Sequence, residues 1–278
     1  MNRTPSASSL PALPALPALL LFAGLLTGGS TAWAQPPQPD QSSQAAASTT
    51  APAPGRPGRY ELKIDNGRDG ALYVPKGYTE NVAAPLLVWL HGAGGTGNVS
   101  DNMAALADEF GFLVLAPDSR DWTWDAILGQ YGPDVEFIAQ AIKQTTSRYR
   151  VDRARLWLGG FSDGASYSLS LGISYGDVFK KIYAGAPGVM QPIETNGKPP
   201  IFISHGRQDQ TMPIDDTSRK FVPRLEANGY EVTYKEYDGR HQLPPEILRE
   251  VIEWLNGRWT FPWDGWDWQD GWAGKTVR

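Results

Sequence analysis

The sequence predicts an α/β architecture, a mostly parallel, doubly wound sheet with helices on both faces, and three observations carry that expectation. Short apolar runs at 86–90, 112–115 and 201–204 lack the polar alternation of a half-solvated strand, so they read as strands buried on both faces. Longer segments with the apolar spacing of helices lie between such runs, giving strand then helix in repetition. The residues best suited to chemistry fall where the apolar runs end, which in such sheets is the rim of the ligand crevice. With 41% apolar and 20% charged side chains, the 278 residues suit one ordinary globular core.

In chain order, residues 1–34 read as an export signal. Arg3 leads into the apolar run 10–26, and Ala32-Trp33-Ala34 before Gln35 has the small-x-small form that signal peptidase cuts. Cleavage after Ala34 is expected to deliver a periplasmic or secreted protein. A membrane anchor is the competing reading, but prolines at 11, 14 and 17 break the run and leave fewer than the ~20 apolar residues of a span. No stable membrane anchor is therefore expected after cleavage. Residues 35–59, rich in Pro, Ala, Ser, Thr and Gln, lack the apolar content to fold and read as a disordered leader.

The folded domain is expected over 60–257. It opens with alternating residues 60–64, a turn at Asn66-Gly67-Arg68-Asp69-Gly70 and a second strand at 71–75, the pattern of a hairpin. Strand 86–90, helix 100–110, strand 112–115, helix 134–149, strand 155–158 and helix 165–174 follow. Strands at 181–184, 201–204 and 231–236 come next, with a helix at 215–227 between the last two. A helix over 244–255 closes the domain, and residues 258–278 form a Trp-rich tail.

Charge and cysteine content exclude several classes. The formal charge of −5 becomes −6 without the first 34 residues, whose one charged side chain is Arg3, so no nucleic-acid partner is expected. With no cysteine, disulfides, thiolate metal sites and a cysteine nucleophile are excluded. Three histidines remain, at 91, 205 and 241.

Gly160-Phe161-Ser162-Asp163-Gly164 joins a strand to a helix. A serine on such a turn needs small residues two before and two after it, because a Cβ at either place would collide with neighbouring backbone. The turn exposes the Ser162 hydroxyl and aims the Asp163 amide, at a helix N-terminus, at an oxygen that becomes negative in a transition state. A serine hydroxyl also needs a base and a carboxylate to orient that base, and on this kind of turn they follow in the order Ser, acid, His. Asp209 follows the strand at 201–204, with Asp215, Asp216 and Asp238 as competitors, and His241 follows the next strand. His205, directly after its strand, is read as a structural hydrogen-bonding residue. The glycine-rich loop Leu90-His91-Gly92-Ala93-Gly94-Gly95-Thr96-Gly97 offers the Ala93 amide as second oxyanion donor, with His91 structural. It lacks the Gly-Lys-Ser/Thr end of a phosphate loop and the Gly-x-Gly-x-x-Gly of a dinucleotide site.

Leu90-His91-Gly92-Ala93-Gly94-Gly95, the stretch 149–155 leading into Gly160-Phe161-Ser162-Asp163-Gly164, and His205-Gly206-x-x-Asp209-x-x-x-Pro213 together resemble the phospholipase/carboxylesterase family and the related polyhydroxybutyrate depolymerase and feruloyl esterase group of α/β-hydrolases. The resemblance spans about 60–254. It implies the α/β-hydrolase fold and a cofactor-free serine esterase, with Ser162, Asp209 and His241 as triad and the Ala93 and Asp163 amides as oxyanion donors. Two departures are present: many carboxylesterases of the first group carry Gln where Asp163 stands, and the tail has no counterpart in the resemblance.

Arg120 and Trp124, in the loop after strand 112–115, are expected to line the pocket, Trp124 as an apolar wall and Arg120 as an anchor for a substrate carboxylate. The alternative for Arg120 is a structural ion pair with the flanking Asp118 or Asp121. If Arg120, Arg207 and Arg240 all face the cleft, an anionic polymer becomes a substrate class. The tail holds five of the eleven tryptophans, set to bind a polymer or partner or to fold over the domain. The leading function is hydrolysis of small or polymeric carboxylic esters. An amidase or depolymerase acting on a poly-acid or peptide uses the same triad, and a non-catalytic binding protein on a hydrolase scaffold is the alternative of another class.

Overall fold

A computed structural model describes residues 55–129 and 131–258. The export signal, the leader up to residue 54 and the tail from residue 259 lie outside the described residues. The elements in chain order are β1 (Gly58–Glu61), β2 (Gly70–Val74), β3 (Ala84–Leu90), α1 (Asp101–Phe110), β4 (Leu113–Pro117), α2 (Pro133–Arg148), β5 (Val151–Phe161), α3 (Asp163–Ser174), β6 (Lys181–Gly185), β7 (Ile201–Gly206), α4 (Ser218–Ala227), β8 (Val232–Tyr237) and α5 (Pro245–Leu255).

They form one eight-stranded sheet in the order β1-β2-β4-β3-β5-β6-β7-β8. The opening β1–β2 hairpin is antiparallel, and β2 adds antiparallel to β4. From β4 to β8 every pairing is parallel, the crossovers being helical except between β6 and β7, where the loop 186–200 returns the chain to the same end. This is the mostly parallel, doubly wound sheet that the alternating apolar runs predict. Strand β5 is longer than its apolar centre at 155–158, because its solvent-facing start at Val151 pairs with Ala84 across a register shift.

The period of two along each strand divides the core. Leu86, Val88 and Leu90 point to the layer built by Phe137, Ile138 and Ala141 of α2 and by Tyr167 and Leu171 of α3. Leu87 and Trp157 point the other way, to Met103 and Leu106 of α1 and Val251 and Ile252 of α5. Ala165, Leu169 and Ile173 of α3 meet Val222 and Leu225 of α4 over Ile182, Ile201 and Ile203. With both faces covered, the carboxyl ends of β3, β5, β7 and β8 are left as the surface on which loops can build a site.

Helix α3 is buried along its whole length. Ser166, Ser170 and Ser174, four residues apart, return their hydroxyls to the carbonyls of Ser162, Ser166 and Ser170. The same oxygens accept backbone N–H groups of Gly188 and Val189, then Gln191, then Ile193. The loop after β6 is thereby stitched along the helix that carries the nucleophile candidate, and its buried amides are satisfied.

Candidate active site

At the end of β5, Ser162 turns the chain into α3 with φ 60° and ψ −123°. That left-handed conformation costs a non-glycine residue about 1–3 kcal/mol and persists only when its surroundings enforce it. The Ser162 N–H donates to the Gly185 carbonyl at 2.8 Å, and the Ser166 N–H donates to the Ser162 carbonyl at 3.0 Å. A Cβ on Gly160 would lie 2.6 Å from the Gly164 carbonyl, and one on Gly164 would fall on the carbonyl oxygens of Leu90 and His91. Both glycines are therefore fixed by close approach, as the pentapeptide reading expects.

Two further loops bring a base and an acid to this serine. His241 Nε2 lies 2.8 Å from Ser162 Oγ, and His241 Nδ1 lies 2.7 Å from Asp209 Oδ2. Asp209 sits just past β7 and His241 just past β8. Their loops touch backbone to backbone through Arg207 N–H to Tyr237 O and Gln208 N–H to Gly239 O, both 2.9 Å. Gly206 permits the approach, since a Cβ there would strike the carbonyls of Gly239 and Arg240. Asp209 Oδ1 accepts the amides of Thr211 and Met212, both at 2.9 Å. Burial would raise the Asp209 carboxyl, but the Met212 amide and His241 outweigh it and hold it below the ordinary carboxylate value. The competitors are occupied elsewhere: Asp215 pairs with Arg219, Asp216 with Lys220 and Asp238 with Arg207.

The glycine-rich loop after β3 faces the same serine, since a Cβ added to Gly92 would lie 3.3 Å from Ser162 Cβ. Its geometry is set by His91. Nε2 accepts the Ser119 amide at 3.0 Å, so the proton is on Nδ1, which donates to the Gly92 carbonyl at 2.7 Å. The Gly95 amide donates to the same carbonyl at 3.0 Å. In a trans peptide the C=O and the following N–H point opposite ways. Holding the Gly92 oxygen inward therefore turns the Ala93 N–H outward. The neighbouring Gly94 amide is spent on Trp122 O, and Arg68 ties the Gly95 and Ser119 carbonyls together at 2.6 and 2.7 Å. Burial pushes His91 below its usual pKa, which favours this neutral tautomer. The Asp163 amide opens α3, where no preceding turn can accept it. An oxygen held by the Ala93 and Asp163 amides beside Ser162 would have its developing charge stabilised.

The two substrate-binding residues expected from sequence are corrected by the structure. Arg120 pairs with Asp65 at 2.9 Å, donates to the Asp118 carbonyl at 3.0 Å and lies 3.5 Å over the Phe137 ring. It serves as an internal brace, as the ion-pair alternative supposed, but its partner is in the β1–β2 loop and neither flanking carboxylate. Trp124 is fully buried, its indole donating to His91 O at 2.8 Å and stacked on Tyr167, so no substrate reaches it as a wall. Arg207 is likewise engaged, with Glu236 and Asp238. Sequence reasoning also missed Thr123, whose buried hydroxyl donates to Asp163 Oδ2 at 2.6 Å, and Asp134, which cages the loop through the amides of Arg120 and Asp125, both at 2.6 Å. An acid opening a helix is a visible signal for Asp134, whereas nothing local marks Thr123. Among the described residues no group of three or more acidic or histidine side chains is placed to hold a metal ion.

Comparison with known proteins bears on the fold and its chemistry class. A phospholipase/carboxylesterase family model matches residues 133–258, and an esterase PHB depolymerase model matches residues 69–192. The overlap holds Ser162. The chain is 30% identical over 162 residues to a bifunctional acetylxylan esterase/xylanase of Neocallimastix patriciarum, covering 55% of this chain and 23% of that one. It is 25% identical over 159 residues to feruloyl esterase C of Emericella nidulans, covering 54% and 58%. The chain thus spans between about a quarter and three fifths of these relatives. Among solved structures, an S-formylglutathione hydrolase from Agrobacterium tumefaciens superposes with TM-score 0.60 at 15% identity, over 76% of this chain and 98% of that one. A CE1 ferulic acid esterase from Anaeromyces mucronatus gives 0.55 at 18% identity, over 76% and 93%. The fold is that of the α/β-hydrolases, and the chain is similar to its carboxylesterase-type members.

Proposed function

We propose that the protein is a serine hydrolase of carboxylic esters, exported from the cytoplasm, with Ser162 as nucleophile, His241 as base and Asp209 as its orienting acid. The observation that carries this reading is the unbroken hydrogen-bonded series from Asp209 Oδ2 through His241 to Ser162 Oγ, at 2.7 and 2.8 Å, on a strained turn. His241 takes the Ser162 proton as the oxygen attacks an ester carbonyl. Asp209 stabilises the imidazolium, and the Ala93 and Asp163 amides receive the oxyanion. Collapse breaks the bond to the alcohol, which leaves with the proton from His241, and water repeats the cycle on the acyl-enzyme. The relatives named as acetylxylan and feruloyl esterases, and the depolymerase-type family model, favour small or polymeric esters over amides. With Arg120 and Arg207 engaged in ion pairs, an anionic poly-acid loses two of the three cations it would need.

The test is a fluorophosphonate label followed by a panel of 4-nitrophenyl esters, polyesters and peptides. Ser162 should carry the label, and Ser162→Ala should lose roughly ten-thousand-fold or more in kcat with its fold intact by circular dichroism. Full ester activity in Ser162→Ala would sink the proposal. Peptide turnover exceeding ester turnover would move the protein to the amidase class, and absence of labelling would leave a binding protein on this scaffold.

A further inference from the structure

His205 is completely buried at the end of β7, and the mechanism above does not use it. Its Nε2 lies 2.8 Å from the Met212 carbonyl and 3.3 Å from Asp209 Oδ2, while Nδ1 lies 2.7 Å from Ser218 Oγ at the start of α4. A carbonyl oxygen only accepts, so Nε2 bears the proton and the Ser218 hydroxyl donates to Nδ1. We propose that His205 is a positioning residue for the triad acid: anchored by Ser218, it clamps the 209–213 bend so that Asp209 Oδ2 stays aimed at His241. This rests on the reading of Ser162, His241 and Asp209 as a triad.

The Met212 residue is gripped at both its amide and its carbonyl. Its N–H donates to Asp209 Oδ1 and its C=O accepts from His205, so the carboxylate and the imidazole hold the same turn from opposite sides. The charged group that faces the His205 ring directly is Asp209, with His241 beyond it on the same oxygen. Burial favours the neutral ring. A neutral clamp does not compete with the His241 imidazolium for the Asp209 charge during turnover. An apolar side chain of similar volume would fill the space equally well, but it would leave the Met212 carbonyl and the Ser218 hydroxyl without partners. The arrangement therefore does more than pack.

The experiment compares His205→Phe, His205→Gln and Ser218→Ala with the wild type, each normalised by fluorophosphonate titration of the reactive serine. In His205→Phe, kcat on 4-nitrophenyl acetate should fall about tenfold or more with KM within twofold, the signature of a misplaced catalytic group. Gln can donate to Met212 and accept from Ser218, so His205→Gln should recover to within about threefold of wild type, with Ser218→Ala between the two. The far-downfield proton resonance of the His241–Asp209 hydrogen bond should be lost in His205→Phe and kept in His205→Gln. A His205→Phe protein with wild-type kcat per labelled site, whatever its melting temperature, overturns the proposal, and so does a His205→Gln variant as impaired as His205→Phe. Should His205→Phe not fold, Ser218→Ala decides, and unchanged kcat with the resonance intact counts against the clamp. A wild type that neither labels nor hydrolyses any ester overturns the triad reading itself.

Discussion

Three loops close on Ser162, two carrying the base and acid and one rich in glycine, and the two groups are ordered by different means. On the proposed base side the candidate groups are side chains, Asp209 and His241, carried on loops joined by backbone hydrogen bonds next to the site. On the proposed oxyanion side the candidate groups are backbone amides, and other side chains set the loop that carries them: the adjacent His91 through Gly92 O, and the distant Arg68 through Gly95 O and Ser119 O. Each side contains a buried or half-buried neutral histidine that donates to a backbone carbonyl, His205 to Met212 and His91 to Gly92. A substitution on the first side removes a reacting group, whereas one on the second side misdirects a group that is still present. The expected losses differ accordingly.

Between the two sides, the larger effect should come from Asp209→Asn. It preserves the shape of the loop but offers an N–H where His241 Nδ1 needs an acceptor, which favours the wrong imidazole tautomer. A loss of roughly ten-thousand-fold in kcat, read on 4-nitrophenyl acetate, is expected. His91→Phe should cost less, about a hundredfold in kcat, because with one of its two donors gone Gly92 O is held by the Gly95 amide alone and the Ala93 amide loses part of its aim. The same factor should appear in weakened binding of a boronic acid that mimics the tetrahedral intermediate. Equal losses in the two variants would break the distinction between removing a group and misdirecting one.

The same difference governs what is legible in the amino-acid sequence. Ser162, Asp209 and His241 are marked by residue type, order and position at strand ends, and the chemistry of a nucleophile, acid and base leaves few other candidates in a chain with three histidines. The α/β sheet was legible because buried parallel strands are short apolar runs. The oxyanion loop was visible as glycines, but its aim depends on Arg68 and Ser119, which no spacing rule connects to His91. Arg120 and Trp124 lie on the correct loop, and position alone suggested a pocket role. Which way each side chain turns was decided by partners elsewhere, Asp65 and Phe137 for Arg120 and Tyr167 for Trp124. The Trp124 ring packs against those of Tyr167 and His91, and its indole N–H is satisfied by His91 O.

The smallest effect concerns stability, and it sharpens the parallel between His91 and His205. Burial holds the pKa of both below the ordinary 6.5 in the folded protein. As pH falls through about 6.5 the unfolded chain takes up protons at these positions that the folded chain refuses, so folding loses free energy on acidification. The contribution is fully present above 6.5 and is lost progressively until the folded-state pKa values are reached. Asp209, also held below its ordinary value, adds its own loss only at much lower pH, below about 3.8. The melting temperature measured by calorimetry at constant ionic strength should therefore decline between pH 7.5 and 5. The decline should be shallower in His205→Gln, whose side chain does not titrate, by up to the linkage slope of one proton, about 1.4 kcal/mol per pH unit. A melting temperature that is flat over this range, or a slope unchanged in His205→Gln, would mean that the buried ring accepts a proton in the folded state. In that case a cation, and not a neutral donor, would stand against Asp209, and the equivalence of the two histidine braces would fail.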